Sequence, residues 1–435
     1  MTSTPPGRPD RPTRTALTAG LVAALSVTSR VLALLVLVPA AHRLGAADFG
    51  TFSLALGLAI AAGNVIGSAP ADLVATAAHT APRRTRHRVT TAASAVVLVG
   101  VVLLATASVT PQPAAVAVLG CALASSSAVP VLAMSLLRGT GRPVTGAVLA
   151  FLVLPLARAV AVTVGPGDLV GLLGLLAVVG TVVGGLCVAV LLWTGRTAGV
   201  RTDRAAGVRT DRAAGIGTGS AAGAAPGGRR PDRAVVGGAR RWLPAVAGTT
   251  VGLGWTVVGQ AGLLALAATS GPGAVAAIVP TVRGTEALTA VAIGYKAAAQ
   301  RSLHASVSGS FPPGTVRFLV VAVLGGATVL CATGPALVPL VFGPDLRFSW
   351  AAGPVLVASS LVATLVAVKV QLLVAARAYR RIALASVAGS AVAVPAAWVG
   401  ASAAGATGVA VSMLLATTTW LVGLTAVRSH GRGGC

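Results

Sequence analysis

The sequence has little charge and few aromatic residues: 10% of its 435 residues are Asp, Glu, Lys or Arg, and 3% are Phe, Trp or Tyr. Soluble globular proteins carry about 25% charged residues, so a chain of this composition could not keep its surface in water. The four cysteines lack CxxC spacing and the five histidines lack HxxxH spacing, which argues against a disulfide framework or a metal centre. The sequence contains no Walker motif and no catalytic carboxylate pair or Ser/His/Asp set. We therefore expect no catalytic residues, no metal and no cofactor.

Long apolar segments make up most of the chain. The mean hydropathy is +0.88, and the apolar blocks are roughly 20 residues long, the length that a helix needs to cross a bilayer. The blocks do not alternate in polarity as barrel strands would, and a helix satisfies its own backbone hydrogen bonds in lipid. Twelve spans are predicted, at 16–41, 49–69, 89–110, 114–137, 144–164, 168–193, 242–269, 274–298, 317–342, 349–375, 382–400 and 404–427. The sequence thus predicts an all-α integral membrane protein.

The basic residues predict the orientation of these spans. If the N-terminus lies inside, 27 of the 33 Lys and Arg residues fall on inner segments, and only Arg43 and Arg347 fall on outer ones. This alternation follows the positive-inside rule and predicts that both termini are cytoplasmic. The net charge of +24 then faces anionic lipid headgroups rather than nucleic acid. The preference for Arg, Ala, Gly and Val is typical of a GC-rich bacterial genome, which places the protein in a bacterial plasma membrane.

One long hydrophilic segment, 194–241, divides the chain. It repeats GVRTDRAA at 199–206 and 207–214, with a degenerate copy at 215–222, and it has no apolar period. This composition predicts a disordered cytoplasmic linker, with a docking or lipid-binding segment as the alternative. The remaining parts are a tail at 1–15, a six-helix lobe at 16–193, a second six-helix lobe at 242–427 and a tail at 428–435. Two lobes around a central cavity are common in transporters built from repeated halves.

Four short motifs follow the predicted helices at regular places. Arg43–Ser53 (RLGAADFGTFS) follows the first span, and Leu137–Arg142 (LRGTGR) follows the fourth. Val341–Asp345 (VFGPD) follows the ninth span, and Gly405–Ala410 (GATGVA) begins the twelfth. In order and spacing these motifs resemble those of the Wzx-like polysaccharide and lipid-linked oligosaccharide flippases, which belong to the multidrug/oligosaccharidyl-lipid/polysaccharide (MOP) superfamily.

The resemblance implies a transporter rather than an enzyme. It implies that the chain moves a lipid-linked sugar precursor from the cytoplasmic to the outer leaflet by alternating access, as part of polysaccharide biosynthesis and export. The implied partners are a polyprenyl-pyrophosphate-linked glycan, membrane lipids, and a polysaccharide polymerase or glycosyltransferases. We expect a monomer, because one chain already supplies both lobes.

Five charged residues fall at membrane depth, where a cation costs about 2.5–3.5 kcal/mol or more. They are Arg30, Arg158, Arg283, Glu286 and Lys369. Structural explanations exist for most of them: Arg283 and Glu286 can pair on one helix face, while Lys369 and Arg158 can reach a membrane interface. Arg30 has no acid near it in sequence. Four cations and one acid predict a positive cavity, and the hypothesis is that Arg30, Arg158 and Arg283 bind the pyrophosphate between the lobes.

Three other functions compete with this interpretation. A cation-coupled multidrug antiporter of the same superfamily would favour acids in the cavity, where Glu286 is the only one. A membrane enzyme of polysaccharide synthesis would need catalytic carboxylates or a large outer loop, whereas the predicted outer loops are short and carry Asp48, Asp168 and Asp345. A non-transporting protein of the same fold is the third alternative.

Overall fold

The computed structural model describes residues 12–68, 82–110, 114–140, 142–213, 239–286, 288 and 313–426. In the N-terminal lobe, α1 is Pro12–Arg43, α2 Ala46–Ser68, α3 Pro82–Ala107, α4 Ala114–Gly139, α5 runs from Pro143 to Val164, and α6 is Leu169–Ala213. In the C-terminal lobe, α7 is Ala239–Ser270, α8 is described over 272–286, α9 is Pro313–Phe342 and α10 is Ala352–Ala375. The last helical segment, Tyr379–Ala426, contains a break and forms α11 (379–403) and α12 (406–426).

Ten helical segments among the described residues are long and apolar enough to cross a membrane. Tyr379–Ala426 counts once in that number although its break makes it two helices, and α8 is described only in part. The arrangement is an all-α membrane protein of two lobes, as the sequence predicts. Leu98, Val99, Val321, Val329 and Leu340 are exposed on α3 and α9, so these faces are suited to lipid rather than to water.

Two local distortions have identifiable causes. In α5, the residues Leu149–Val153 form a π-helical turn directly before Pro155. Proline has no N–H to donate and its ring crowds the carbonyl four residues earlier, and the wider turn accommodates both effects. Between α11 and α12, Ala404 and Gly405 leave the helical region, with Gly405 at φ 53°. A positive φ favours glycine, so the GATGVA motif marks the break that separates the last two spans.

The segment predicted as a disordered linker is helical at its start. Helix α6 continues to Ala213, beyond the predicted boundary at 194 and through the first repeat. Alanine and arginine both have high helix propensity, and the segment has no proline before residue 226, so nothing in it ends the helix early. Residues 214–238 lie outside the described part of the chain, as do most of the two tails.

The two halves of the molecule differ in how the lobes pack. We call the half that carries the turns at Gly165, Gly271 and Gly343 the arginine-poor half, and the half that carries Arg84–Arg88 and Arg377–Arg381 the arginine-rich half. In the arginine-poor half one hydrophobic cluster includes residues of both lobes, among them Leu37, Phe49, Phe52, Val279 and Phe342. The lobes are therefore joined by a shared core on this side.

In the arginine-rich half each lobe has its own hydrophobic cluster. The N-terminal cluster joins α3, α4, α5 and α6 and contains Leu136 and Leu191. The C-terminal cluster joins α7, α10, α11 and α12 and surrounds Trp420, which is fully buried. In this half no hydrophobic cluster of the described residues includes both lobes.

The motif that follows α1, together with the neighbouring His42, contributes to the contacts that hold the arginine-poor half together. The Arg43 guanidinium donates hydrogen bonds to the carbonyl oxygens of Val162, Thr163 and Gly165 at the end of α5. The neighbouring His42 side chain makes a 3.0 Å hydrogen bond from Nε2 to the Val341 carbonyl oxygen of α9, in the other lobe. Gly50 lies against the carbonyl group of Pro272 at the start of α8, and any Cβ atom there would overlap that oxygen.

We expect Gly50→Ala to destabilise the protein by about 1–3 kcal/mol, because the atoms that a new methyl group meets are backbone atoms that cannot rotate away. Gly120→Ala is the matched control, since a Cβ atom at Gly120 of α4 has open space. The apparent melting temperature of the detergent-purified protein measures the difference. Equal melting temperatures for the two variants would show that the contact at Pro272 does not hold the lobes together.

Candidate functional site

A polar cluster lies at the interface between the lobes. Arg283 of α8 forms an ion pair with Glu286, with 2.6 Å between Nη1 and Oε2. The two side chains are 19% and 27% exposed, so they are neither in the core nor on the lipid surface. The pairing expected from their three-residue spacing is thus present, and it leaves the second guanidinium nitrogen, Nη2, directed towards the N-terminal lobe.

Gly57 of α2 provides the space for that second nitrogen. A Cβ atom at Gly57 would overlap Arg283 Nη2 and would lie 2.9 Å from Oε1 of Gln260 on α7. The absent side chain therefore lets two polar groups of the C-terminal lobe contact the backbone of the N-terminal lobe. Thr256, one turn before Gln260, also spans the interface, with 3.4 Å between its hydroxyl and the Ala61 carbonyl oxygen of α2.

Two buried polar groups in this region lack a hydrogen-bond partner among the described residues. Gln260 is 5% exposed and its Oε1 accepts no hydrogen bond, and Ser53, 1% exposed, has an unpartnered hydroxyl. Ser53 lies four residues before Gly57 and so faces the same side of α2. Unpartnered buried polar atoms cost about 1–3 kcal/mol each, and such groups at an interface are suited to bind a polar ligand.

Arg30 joins the cluster from α1. Its side chain is partly buried, and the charged groups that act on it electrostatically are Glu286 and Arg283 of the other lobe. The acid that interacts with Arg30 is therefore Glu286 of the C-terminal lobe, and no acid lies near Arg30 in the sequence. Among the described residues of the cluster, the guanidinium groups of Arg30 and Arg283 and the single Glu286 carboxylate give a net positive charge.

The described contacts of Arg158 do not include Arg30 or Arg283, and its predicted role in substrate binding stays a prediction. Arg158 is 6% exposed, and its Nη2 donates a 2.7 Å hydrogen bond to the Ser127 hydroxyl of α4. Gly180 of α6 lies on its other side, where a Cβ atom would be 3.6 Å from Nη2. These contacts are all within the N-terminal lobe. The depth of a residue in a span can be read from sequence, but the face of the helix that it occupies depends on packing.

Lys369 belongs to the arginine-rich half of the C-terminal lobe. It is partly buried on α10, between Val366 and Val370, which both belong to the core cluster of that lobe. No described contact brings it to Arg30 or Arg283, and a role in substrate binding stays a prediction. Gly57, Ser53 and Gln260 were not among the predicted site residues. Gln260 could have been recognised from the sequence as a candidate site residue, because it is an amide in an otherwise apolar span.

Solved structures share this fold. No protein-family model matches the sequence, and no curated protein does. The chain is similar to a multidrug resistance MATE family transporter of the MOP superfamily in an outward-facing conformation (TM-score 0.59, 13% identity, 95% of this chain and 94% of that one). It is also similar to the Vibrio cholerae MATE transporter VcmN (0.57, 14%, 96% and 98%).

A third similar structure differs in the polarity of its binding pocket. This MOP superfamily transporter from Pyrococcus furiosus has a binding pocket of reverse polarity, which is said to suggest a different function (TM-score 0.56, 12% identity, 95% of each chain). At these identities the likeness shows that the chain has the fold of these transporters.

We expect Glu286→Gln to destabilise the protein more than Arg283→Gln. The first change leaves both guanidinium groups without a carboxylate at a cost of about 1–3 kcal/mol, whereas the second leaves Arg30 with Glu286. The double variant Arg30→Gln/Glu286→Gln should recover part of the loss. The melting temperatures of the single and double variants form a double-mutant cycle. Strictly additive effects of Arg30→Gln and Glu286→Gln would mean that the two groups do not interact.

Proposed function

We propose that the chain is a flippase that carries an anionic, lipid-linked sugar precursor from the cytoplasmic to the outer leaflet of a bacterial plasma membrane. The observation that carries this proposal is the net positive charge of the polar cluster between the lobes. Within it, Arg283 pairs with Glu286, and Arg30 of the other lobe is close enough to interact electrostatically with both. The same fold includes a transporter described by its reversed pocket polarity, so the charge of the pocket is informative about the substrate.

The chemistry of the cluster suits a pyrophosphate. Arginine has a planar guanidinium that forms bidentate hydrogen bonds with phosphate oxygens, and it stays charged at any physiological pH. Arg283 uses one edge for Glu286 and directs Nη2 to the interface, where Arg30 adds a second cation. The unpartnered Gln260 Oε1 could accept a hydrogen bond from a sugar hydroxyl group, and the Ser53 hydroxyl could donate one to a phosphate oxygen.

The packing of the lobes suits alternating access. The shared core closes the arginine-poor half, and the separate clusters leave the arginine-rich half as the side of entry. Because the positive-inside rule places the arginine-rich side in the cytoplasm, a lipid-linked precursor made there would reach the cluster in this state. The lobes would then break the contacts at Gly50 and His42 and close the arginine-rich half. This movement would expose the bound precursor to the outer side of the membrane.

A second candidate function is export of organic cations. It is favoured by the Glu286 carboxylate at the interface and by two similar structures that are described as MATE transporters. A cation would have to compete with Arg283 and Arg30 for that single acid. We therefore rank the anionic substrate first and test the two directly against each other.

The first experiment is a thermal-shift panel on the detergent-purified full-length protein, with polyprenyl pyrophosphate, polyprenyl monophosphate and several organic cations. A ligand at 100 times its Kd stabilises the native state by about 2.7 kcal/mol. We expect the pyrophosphate lipid to raise the melting temperature, and Arg30→Gln to remove that rise. Arg347→Gln, which removes one exposed cation outside the cluster, is the control and should keep it.

Two other outcomes of this experiment would each reject the proposal. Stabilisation by organic cations alone, lost in Glu286→Gln and kept in Arg30→Gln, would identify a cation exporter. Stabilisation by the pyrophosphate lipid that is equal in Arg30→Gln and Arg347→Gln would place the anion outside this cluster.

Gly57→Ala should weaken pyrophosphate binding without destabilising the fold. The atoms that its methyl group meets are the ends of the Arg283 and Gln260 side chains, which can rotate, so the cost falls on the geometry of the site. The control is Gly259→Ala on α7, next to Gln260, where a Cβ atom has open space. We expect about tenfold weaker binding for Gly57→Ala only, from the dependence of melting temperature on ligand concentration. Equal affinities in both variants would contradict the position given to Arg283.

A further inference from the structure

The interior of the N-terminal lobe contains a buried cation that the proposed transport site does not use. Arg158 follows the π-helical turn of α5 and is 6% exposed among α4, α5 and α6. In the described residues no carboxylate lies within ion-pair distance of it. An isolated charge in an apolar interior is expensive, and such charges normally have a counter-ion.

The guanidinium of Arg158 is only partly satisfied by the protein. Nη2 donates a hydrogen bond to Ser127, but the buried Nε has no partner in the part of the chain that the structure describes. Arginine has five N–H donors and no acceptor, so a group that binds the remaining donors must be an acceptor. An anion meets both requirements, since it accepts hydrogen bonds and balances the charge.

The surroundings of Arg158 are rich in hydroxyl groups. Ser125, Ser126 and Ser127 occupy three successive positions on α4, and each is buried and donates to a carbonyl oxygen of its own helix. Thr181 of α6 is buried beside them and does the same. Such hydroxyl groups can rotate to donate to a small ion without any movement of the backbone.

Gly180 packs against the serines beside the arginine. A Cβ atom at Gly180 would overlap Ser126 Oγ and would lie 3.6 Å from Arg158 Nη2. The bare backbone of Gly180 therefore lies directly against the Ser126 hydroxyl and close to the guanidinium. This close packing favours a small ion over a phosphate ester or a lipid headgroup.

We propose that Arg158, Ser126 and Ser127 form a binding site for a small monovalent anion inside the N-terminal lobe, separate from the polar cluster between the lobes. One uncompensated cation calls for one negative charge, and chloride is the probe that matches its size and charge. The anion neutralises Arg158 and links α4, α5 and α6. The site is independent of the proposed substrate, because none of its residues contacts Arg30, Arg283 or Glu286 in the described contacts.

The test is a chloride titration of the full-length protein in detergent, with gluconate replacing chloride at constant ionic strength. We expect the melting temperature of the wild-type protein to rise with chloride and to saturate. Arg158→Gln should abolish this dependence. Arg283→Gln should keep the chloride dependence. Arg283 is the other arginine at membrane depth that has a described hydrogen bond, and it lies outside the proposed anion site.

Gly180→Ala provides a second test that leaves the charge in place. Its methyl group would overlap the Ser126 side chain and displace one of the proposed ligands, and we expect about tenfold weaker half-saturation by chloride, equivalent to about 1.4 kcal/mol. This variant decides the question if Arg158→Gln does not fold. The proposal is overturned if the wild-type melting temperature is independent of chloride, or if both variants retain the wild-type half-saturation. Loss of the dependence in Arg283→Gln alone would move the anion to the interface between the lobes.

Discussion

The hydrocarbon core of a bilayer offers no hydrogen-bond partner to a polar group, and this constraint organises the whole molecule. The helices satisfy their own backbones, and most buried hydroxyl groups return a hydrogen bond to their own helix, as Thr181 does to Ala177 and Ser386 to Ile382. The charged groups differ in this respect: Arg283 pairs with Glu286 on its own helix, whereas Arg30 has no acid near it in sequence. Three of them, Arg30, Arg283 and Glu286, gather where the lobes meet, so the need to shelter charge from lipid also creates the polar interior that a transporter of polar substrates requires.

Much of the fold could be predicted from sequence because its determinants are local. Span length, turn residues and the distribution of arginine gave the twelve-helix frame, including the break at Gly405. The π-helical turn at Leu149–Val153 was not predicted, although Pro155 within that span was a sign of distortion. The start of the linker was wrongly taken as irregular: its glycines suggested disorder, but alanine and arginine extend α6 to Ala213.

The candidate site was only partly accessible from sequence. The pairing of Arg283 with Glu286 depends on a three-residue spacing on one helix, so it could be predicted. The proximity of Arg30 to Glu286 depends on the contact between two lobes, and no local pattern contains that information. For the same reason the sequence could not show that Arg158 contacts Ser127 within its own lobe, or that Gly57 lies against Arg283.

The uneven division of the core would give the proposed alternation between two orientations a thermal signature. Opening the arginine-poor half to an aqueous cleft would wet apolar residues such as Phe49 and Phe342, whereas the opposite half presents exposed arginines such as Arg84 and Arg377. Apolar surface raises the heat capacity when water reaches it, and the force that buries it weakens on cooling. The two proposed orientations would therefore differ in heat capacity. Cold would favour the one that opens on the arginine-poor side, so the resting population of each orientation would depend on the temperature of the membrane.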